Sequence, residues 1–159
     1  MAMTAPIISI SNEMNNPVTQ WDAGIVQQNK SSNELTLRIW NNKGGETALA
    51  DLKEVTITTL DVDGTATTAL VTERWVGVKV PSVDGSNGGF TQIGGSFAKS
   101  LRADGLTIAD GYTISGVAND GSYDNAKANY CTIKLKISVP LNATGGIYDF
   151  KTKISGYYT

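Results

Sequence analysis

The stretch that decides the fold is "YCTIKLKISV", residues 130–139. Apolar and polar side chains alternate strictly along it, and the apolar face carries Cys131, Ile133, Leu135, Ile137 and Val139. An α-helix repeats about every 3.6 residues and cannot place these five side chains on one face, whereas a β-strand repeats about every two. The stretch therefore predicts a long antiparallel strand with one face in a core and the other toward solvent.

Similar alternation predicts further strands at residues 35–40, 54–60 and 75–80. A first strand is expected at 7–11, residues 24–27 contribute to a second, and weaker strands are expected at 89–93, 105–108 and 112–117. A final strand is predicted at 148–155. Pro140 and the glycine pair at 145–146 predict a turn that joins 130–139 to this strand as a hairpin at the centre of a sheet. Helix is confined to two short segments, 48–55 and 122–130.

Size and composition indicate one globular domain. The 159 residues are enough to form a hydrophobic core without disulfide bonds. A content of 40% hydrophobic residues and 17 glycines is typical of a turn-rich β protein. We therefore predict an all-β chain, an immunoglobulin-like antiparallel β-sandwich with one or two very short helices. Residues 1–159 form a single domain in this prediction, with residues 1–6 as an N-terminal arm.

Charge argues against two classes of partner. Thirteen basic and fifteen acidic residues give a net charge of −2, and neither sign clusters along the chain. Binding to nucleic acid or to an anionic membrane surface needs a concentrated basic region, so neither is expected. No apolar run approaches the roughly 18 residues of a membrane span, and the N-terminus lacks the pattern of a secretory signal. We expect synthesis in a cytoplasm.

Catalysis is not expected. The chain contains no histidine, which removes the usual nucleophile–histidine arrangements and the commonest zinc ligand. The single cysteine, Cys131, lies on the apolar face of the best strand, where a thiol is inert. Asp-rich "DVDG" (61–64) and "NDGSYDN" (119–125) carry oxygen ligands but lack the flanking helices of a calcium loop. We therefore predict turns there, no cofactor and no enzyme.

Trp40 is the first candidate for a contact site. In "LTLRIWNNKGG", residues 35–45, it lies opposite the apolar face of its strand and precedes Asn41 and Asn42. An aromatic ring stacks on a sugar while amides bond to its hydroxyls, so these residues fit a glycan site, with Trp75 as a second platform. Trp40 also fits packing within the subunit, which we favour, or a protein interface.

Tyr157 and Tyr158, near the C-terminus, are better candidates for a protein interface than the tryptophans. They follow the last predicted strand, and we expect them to contact a partner subunit.

The final third of the chain carries a family resemblance. "LKISVPLNATGGIYDFKTKIS" resembles the closing hairpin of bacterial immunoglobulin-like domains. The whole layout, from "WDAGIVQQNKSSNELTLRIWNNKGG" through "LADLKEVTITTLD" to "ISGVANDGSYDNAKANYCTIKLKISVP", resembles small proteins encoded in phages and prophages of Gram-positive bacteria.

This resemblance implies a location in the virion and a structural role in the tail, baseplate or fibres. Its partners would be other virion subunits, in a homo-oligomer or symmetric assembly. Two alternatives stay open: a carbohydrate-binding surface or adhesion module that recognises a cell-surface glycan, and a capsid decoration protein.

Overall fold

Residues 130–139 form the central strand of the larger of two antiparallel sheets in the computed structural model, which describes residues 3–159. This arrangement confirms the predicted all-β sandwich. The strands are β1 (Ile8–Asn12), β2 (Lys30–Ser31), β3 (Leu35–Asn41), β4 (Lys53–Leu60), β5 (Val76–Lys79), β6 (Thr91–Ile93), β7 (Lys99–Ser100), β8 (Tyr130–Val139) and β9 (Lys151–Tyr157). Two four-residue helices, α1 (Ala69–Thr72) and α2 (Pro81–Asp84), lie between them.

β8 is flanked by β3 on one side and β5 on the other, and the sheet runs β1-β3-β8-β5-β6, with β2 pairing the end of β8. Leu35 of β3 lies opposite Leu135 on one side of β8, and Val78 of β5 lies opposite Leu135 on the other side. The inward side chains of these three strands are therefore aligned in rows that face the second sheet. The buried core contains, among others, Ile39, Val55, Ile57, Val76, Ile133 and Leu135.

The second sheet has the order β7-β4-β9, which shows that the predicted hairpin between residues 130–139 and the final strand is wrong. β9 pairs with β4, from Lys151 opposite Leu60 to Tyr157 opposite Lys53. The segment after Pro140 instead crosses from one sheet to the other. Phe150 and Ile154 pack on the core from the side opposite β8. Alternation identifies which face of a strand is buried. Because both sheets bury a face in the same core, alternation does not identify the sheet to which a strand belongs.

The weaker predictions were correct only in part. β6 confirms the strand at 89–93, whereas 24–27 and 105–108 are not strands and 112–117 contributes only a bridge at Ile114. The predicted helix at 48–55 is extended, because Leu52 pairs with Ile114. Of 122–130, only Lys127–Asn129 forms a 3-10 turn, because the Lys127 carbonyl accepts the N–H of Gly105 instead of continuing a helix.

The predicted N-terminal arm is described only from residue 3. The carbonyl of Thr4 accepts the N–H of Ala50 at 2.9 Å, so the arm follows the body of the domain there. Its first two residues lie outside the described residues. From residue 3 onward, no helix has both the length and the apolar character needed to cross a bilayer.

The turn after β4 is built on the carboxylate of Asp61. It accepts hydrogen bonds from the hydroxyls of Thr65 and Thr68 at 2.8 and 2.6 Å and from both the backbone and the hydroxyl of Thr67 at 2.8 Å. The Thr68 hydroxyl, followed by the Thr67 N–H, holds the pKa of Asp61 far below its ordinary value near 3.8. The carboxylate organises the turn that leads into α1.

Asp61→Asn tests this turn. The pKa of Asp61 is lower in the folded state than in the unfolded state. The stabilisation is therefore complete above the unfolded-state pKa of about 4 and is lost progressively as the pH falls below it. We expect the variant to have a lower melting temperature at pH 7 and a smaller further loss between about pH 5 and pH 2 than the wild type. Thermal unfolding followed by circular dichroism measures both, with the exposed Asp149→Asn as control. Equal acid sensitivity of wild type and Asp61→Asn would contradict this role.

Candidate interaction surface

Trp40 lies on the outer face of the large sheet, opposite the core, as alternation along β3 predicts. It is nevertheless 0% exposed, because the segment before β8 crosses this face. Tyr123 stacks on its ring with centroids 5.8 Å apart and planes inclined by 21°, and Tyr130, directly opposite on β8, lies 4.8 Å away. Together with Ala126 these rings form a second, smaller hydrophobic cluster. A loop of the same chain therefore covers Trp40, in agreement with the favoured interpretation.

The polar atoms of this cluster are joined in a chain of hydrogen bonds. The Trp40 indole N–H donates to the Ser11 hydroxyl at 2.8 Å, and that hydroxyl lies 2.7 Å from the Tyr123 hydroxyl. Tyr123 in turn donates to the carbonyl of Asn12. Since the single Tyr123 proton is used there, Ser11 must donate to Tyr123. The chain ties β1, β3 and the covering loop together.

Asn41 and Asn42 have structural roles as well. The Asn41 amide donates to the carbonyls of Ala50 and Ile114 at 3.0 and 3.3 Å, and the Asn42 amide donates to those of Thr47 and Gly116, both at 2.9 Å. Both residues are buried. Their amides satisfy carbonyls of segments that have little regular strand pairing. Neither amide is at the surface, so neither is available to a sugar.

Trp75 is also buried, with 3% of its surface exposed, and its ring centroid lies 4.7 Å from that of Tyr148. Its indole N–H has no hydrogen-bond partner among the described residues. Unpaired buried donors are rare in folded proteins, so the indole N–H of Trp75 is an exception to the usual pairing of buried polar groups. Trp40 and Trp75 are thus not two platforms on one surface: they lie in separate clusters.

Tyr157 and Tyr158 are the only sequence candidates that are substantially exposed, at 51% and 50%. Tyr157 is the last residue of β9, and Tyr158 follows it. Both side chains are therefore open to solvent, and their role in an interface stays a prediction.

Apolar side chains are also exposed elsewhere, around a cleft between residues 20–28 and 143–149, which we call the loop cleft. Its volume is about 460 Å³, and Trp75 and Tyr148 contribute to its wall. Ile25 and Ile147 border it and are 100% and 92% exposed. Two exposed aliphatic side chains beside one cleft are typical of a surface that contacts another molecule.

Sequence reasoning did not find the loop cleft. Its signal is present in "GIV" and "GGI", where Ile25 and Ile147 each follow glycine, but residues 24–27 were predicted to contribute to a strand. An isolated aliphatic residue in a flexible context has no core face to join, so it faces solvent more often than one in a strand. Which two loops come together depends on the crossing of β8 to β9.

The electrostatics of the loop cleft limit its partners. Among the described residues that line it, the only charged side chains are Asp22 and Asp149. An anionic ligand would meet no compensating charge there. The described part of the chain also holds no group of three or more His, Cys, Asp or Glu side chains placed for a metal ion. Burial raises the pKa of Cys131 far above its ordinary value, so this thiol is not poised as a nucleophile.

Comparison with known proteins gives no assignment. Neither a protein-family model nor a curated protein matches the chain. Its function is therefore inferred from the surface described above and from the layout of the sequence.

Trp40→Ala tests the covered outer face. Removing a fully buried tryptophan leaves a cavity and an unpaired Ser11 hydroxyl, so we expect the free energy of unfolding to fall by about 3–5 kcal/mol. Urea titration followed by far-ultraviolet circular dichroism measures this loss. Tyr158→Ala, which truncates a half-exposed ring, is the control and should change stability by less than about 0.5 kcal/mol. Similar losses in both variants would contradict the burial of Trp40.

Asn41→Asp tests the amide network without changing side-chain size. The variant places a carboxylate oxygen against the carbonyls of Ala50 and Ile114, which no longer receive a donor. We expect a loss of about 2–4 kcal/mol at pH 7, measured by urea titration. The exposed Asn142→Asp makes the same chemical change and should be nearly neutral. A neutral Asn41→Asp would show that the network does not stabilise the fold.

Proposed function

We propose that the protein is a non-enzymatic structural component of a bacteriophage virion, in the tail, baseplate or fibres, and that it acts through protein–protein contacts. The observation that carries the mode of action is the pair of exposed isoleucines, Ile25 and Ile147, beside the loop cleft. The virion setting rests on the resemblance of the sequence layout to phage and prophage proteins.

The loop cleft favours a protein partner over a small charged ligand. Burying an aliphatic side chain contributes about 1.5–3 kcal/mol, so two such side chains on one surface form the apolar centre of an interface. Tyr148, which lines the same cleft, supplies aromatic area at low entropic cost. Interfaces of this kind are polar at the rim, and the polar residues Gln20, Gln28 and Thr144 also line the loop cleft.

The rest of the domain suits a scaffold. Trp40, Asn41 and Trp75 are used for internal packing and hydrogen bonding, and these contacts fix the loops relative to the sheets. A subunit in a symmetric array gains from such rigidity, because every interface repeats the same geometry. Tail, baseplate, fibre and capsid decoration proteins all share this requirement, and we favour the first three because the sequence layout implies them.

A carbohydrate-binding role is the second candidate, and the place of Tyr148 in the wall of the loop cleft favours it, because an aromatic ring can stack on a sugar. Trp75 and Tyr148 line a cleft whose other polar groups include side-chain amides and two carboxylates, a combination that suits neutral hydroxyl groups. Titration with maltohexaose and chitohexaose, followed by tryptophan emission, separates the two proposals. Saturable binding that Tyr148→Ala abolishes would favour the adhesion module over the assembly protein.

The virion proposal is tested on particles. Phage particles purified from a strain that encodes this chain should contain it in ordered, stoichiometric copies, visible by mass spectrometry and by electron microscopy. Its absence from particles that are otherwise complete would contradict a virion role.

The double variant Ile25→Ser with Ile147→Ser tests the surface that carries the proposal. Both side chains are exposed, so we expect unchanged stability but a loss of about tenfold or more in incorporation into particles. Ile108→Ser is the matched control, because Ile108 is 85% exposed and lies outside the loop cleft. Normal incorporation of the double variant, or an equal loss in the control, would show that this surface is not the contact.

A further inference from the structure

The outer edge of β9 is a second surface with unused binding capacity. β9 pairs only with β4, and its other side has no strand neighbour within residues 3–159. Open edges present rows of backbone N–H and C=O groups, which proteins normally pair or protect. The pairing of β9 with β4 determines which β9 residues point their backbone N–H and C=O groups toward the open side.

The ladder identifies the outward-facing groups. Val55 of β4 donates to Tyr112 and accepts from Leu101, so its backbone groups point away from β9. Alternate β4 residues point the opposite way, and two of these, Thr56 and Thr58, lie opposite Ser155 and Lys153 of β9. The backbone groups that point outward therefore belong to Thr152, Ile154 and Gly156. No hydrogen bond within the described chain reaches them on that side.

The other sheet edges are shorter or already covered. The outer side of β1 is bonded by residues 16–18, where Val18 donates to Ile10 and Asn12 donates to Asn16, each at 2.9 Å. β6 has three residues and is followed by a tight turn between Gly94 and Phe97, and β7 has two residues. The seven residues of β9 are thus the longest open edge in the described structure.

We propose that β9 pairs antiparallel with β9 of a second copy, about a twofold axis at Ile154. This register makes one continuous sheet across the two copies and places each outward-facing residue opposite another outward-facing residue. The opposed pairs are Ile154 with Ile154, Thr152 with Gly156, Lys153 with Ser155, and Lys151 with Tyr157. Every pair of outward backbone groups then exchanges hydrogen bonds.

The residues of β9 are complementary to one another in the twofold register, which favours a second copy as the occupant, and charge selects this register over a parallel one. Lys151 and Lys153 are exposed, and lysine on an edge strand normally blocks pairing. A parallel, in-register pair would oppose each lysine to itself, which is unfavourable. In the twofold register each lysine meets an uncharged residue instead. Lys151 also lies opposite the half-exposed ring of Tyr157, where its ammonium and aliphatic stem both find contacts.

The dimer deepens the proposed assembly function but does not require it. The β9 edge and the loop cleft are formed by different residues, so the two proposals fail independently. A monomer that enters particles normally would contradict the dimer alone. A dimer that is absent from complete particles would contradict the virion role alone.

Sedimentation velocity of the purified chain over a range of concentrations is the first test, and we expect a monomer–dimer equilibrium. Thr152→Pro removes an outward N–H while leaving the β4 ladder intact, as proline on an edge strand does. The variant should weaken the dimer by about tenfold or more, while its circular dichroism spectrum stays that of the folded wild type. Thr152→Val keeps the N–H and should dimerise as the wild type does. A monomeric wild type, or a Thr152→Pro dimer of unchanged affinity, would overturn the proposal.

A charge swap tests the register and does not depend on the folding of the proline variant. Ser155→Lys places a lysine opposite Lys153 of the second copy and should weaken the dimer about fivefold. Adding Lys153→Glu to that variant places opposite charges across the twofold axis and should restore the affinity. Weakening without restoration, or no effect of Ser155→Lys, would show that the copies do not meet in this register.

Discussion

The structure depends on the alternation of β8, because both faces of this strand are used for packing. Its inward side chains, among them Ile133 and Leu135, meet the second sheet. On the outer face Tyr130 contacts Trp40, and the loop that carries Tyr123 covers both. β8 also pairs with strands on each side, so its backbone groups are satisfied throughout. A central strand that is packed on both faces and hydrogen-bonded on both sides fixes the positions of the neighbouring strands and of the loop that covers Trp40.

Much of the remaining chain is irregular, and side-chain amides compensate for the missing strand pairing. Asn41 and Asn42 extend from the end of β3 to carbonyls of residues 47–50 and 114–116, while Asn129 bonds the carbonyls of Ser115 and Val117. Buried carbonyls left without donors would each cost about 1–3 kcal/mol. These buried asparagines therefore stabilise loops and are not open to a ligand. This use of asparagine leaves the domain edges and the loop cleft as the surfaces available for contacts.

Local pattern predicted the strands well and their partners poorly. The period of two in residues 130–139 identified β8 because few other structures fit ten alternating residues. The pairing of β9 was wrong because Pro140 and the glycines that follow predict a change of direction but do not specify which sheet the chain joins. The site was missed for a related reason. Trp40 resembles a surface aromatic until the loop carrying Tyr123 is placed over it, and Ile25 and Ile147 border one cleft only because the chain crosses between sheets. These contacts are set by tertiary structure, which residue spacing does not contain.

Native-state hydrogen exchange measured by NMR tests the central role of β8 most directly, because it reports the opening of each hydrogen bond separately. Amides of β8 that bond to β3 and β5 should exchange only through global unfolding, and the indole N–H of Trp40 should be protected with them. At concentrations where the chain is monomeric, the outward amides of Thr152 and Ile154 should exchange orders of magnitude faster. Rapid exchange of the Trp40 indole, or β8 amides that exchange as fast as the open edge of β9, would contradict a fold organised around a central strand packed on both faces.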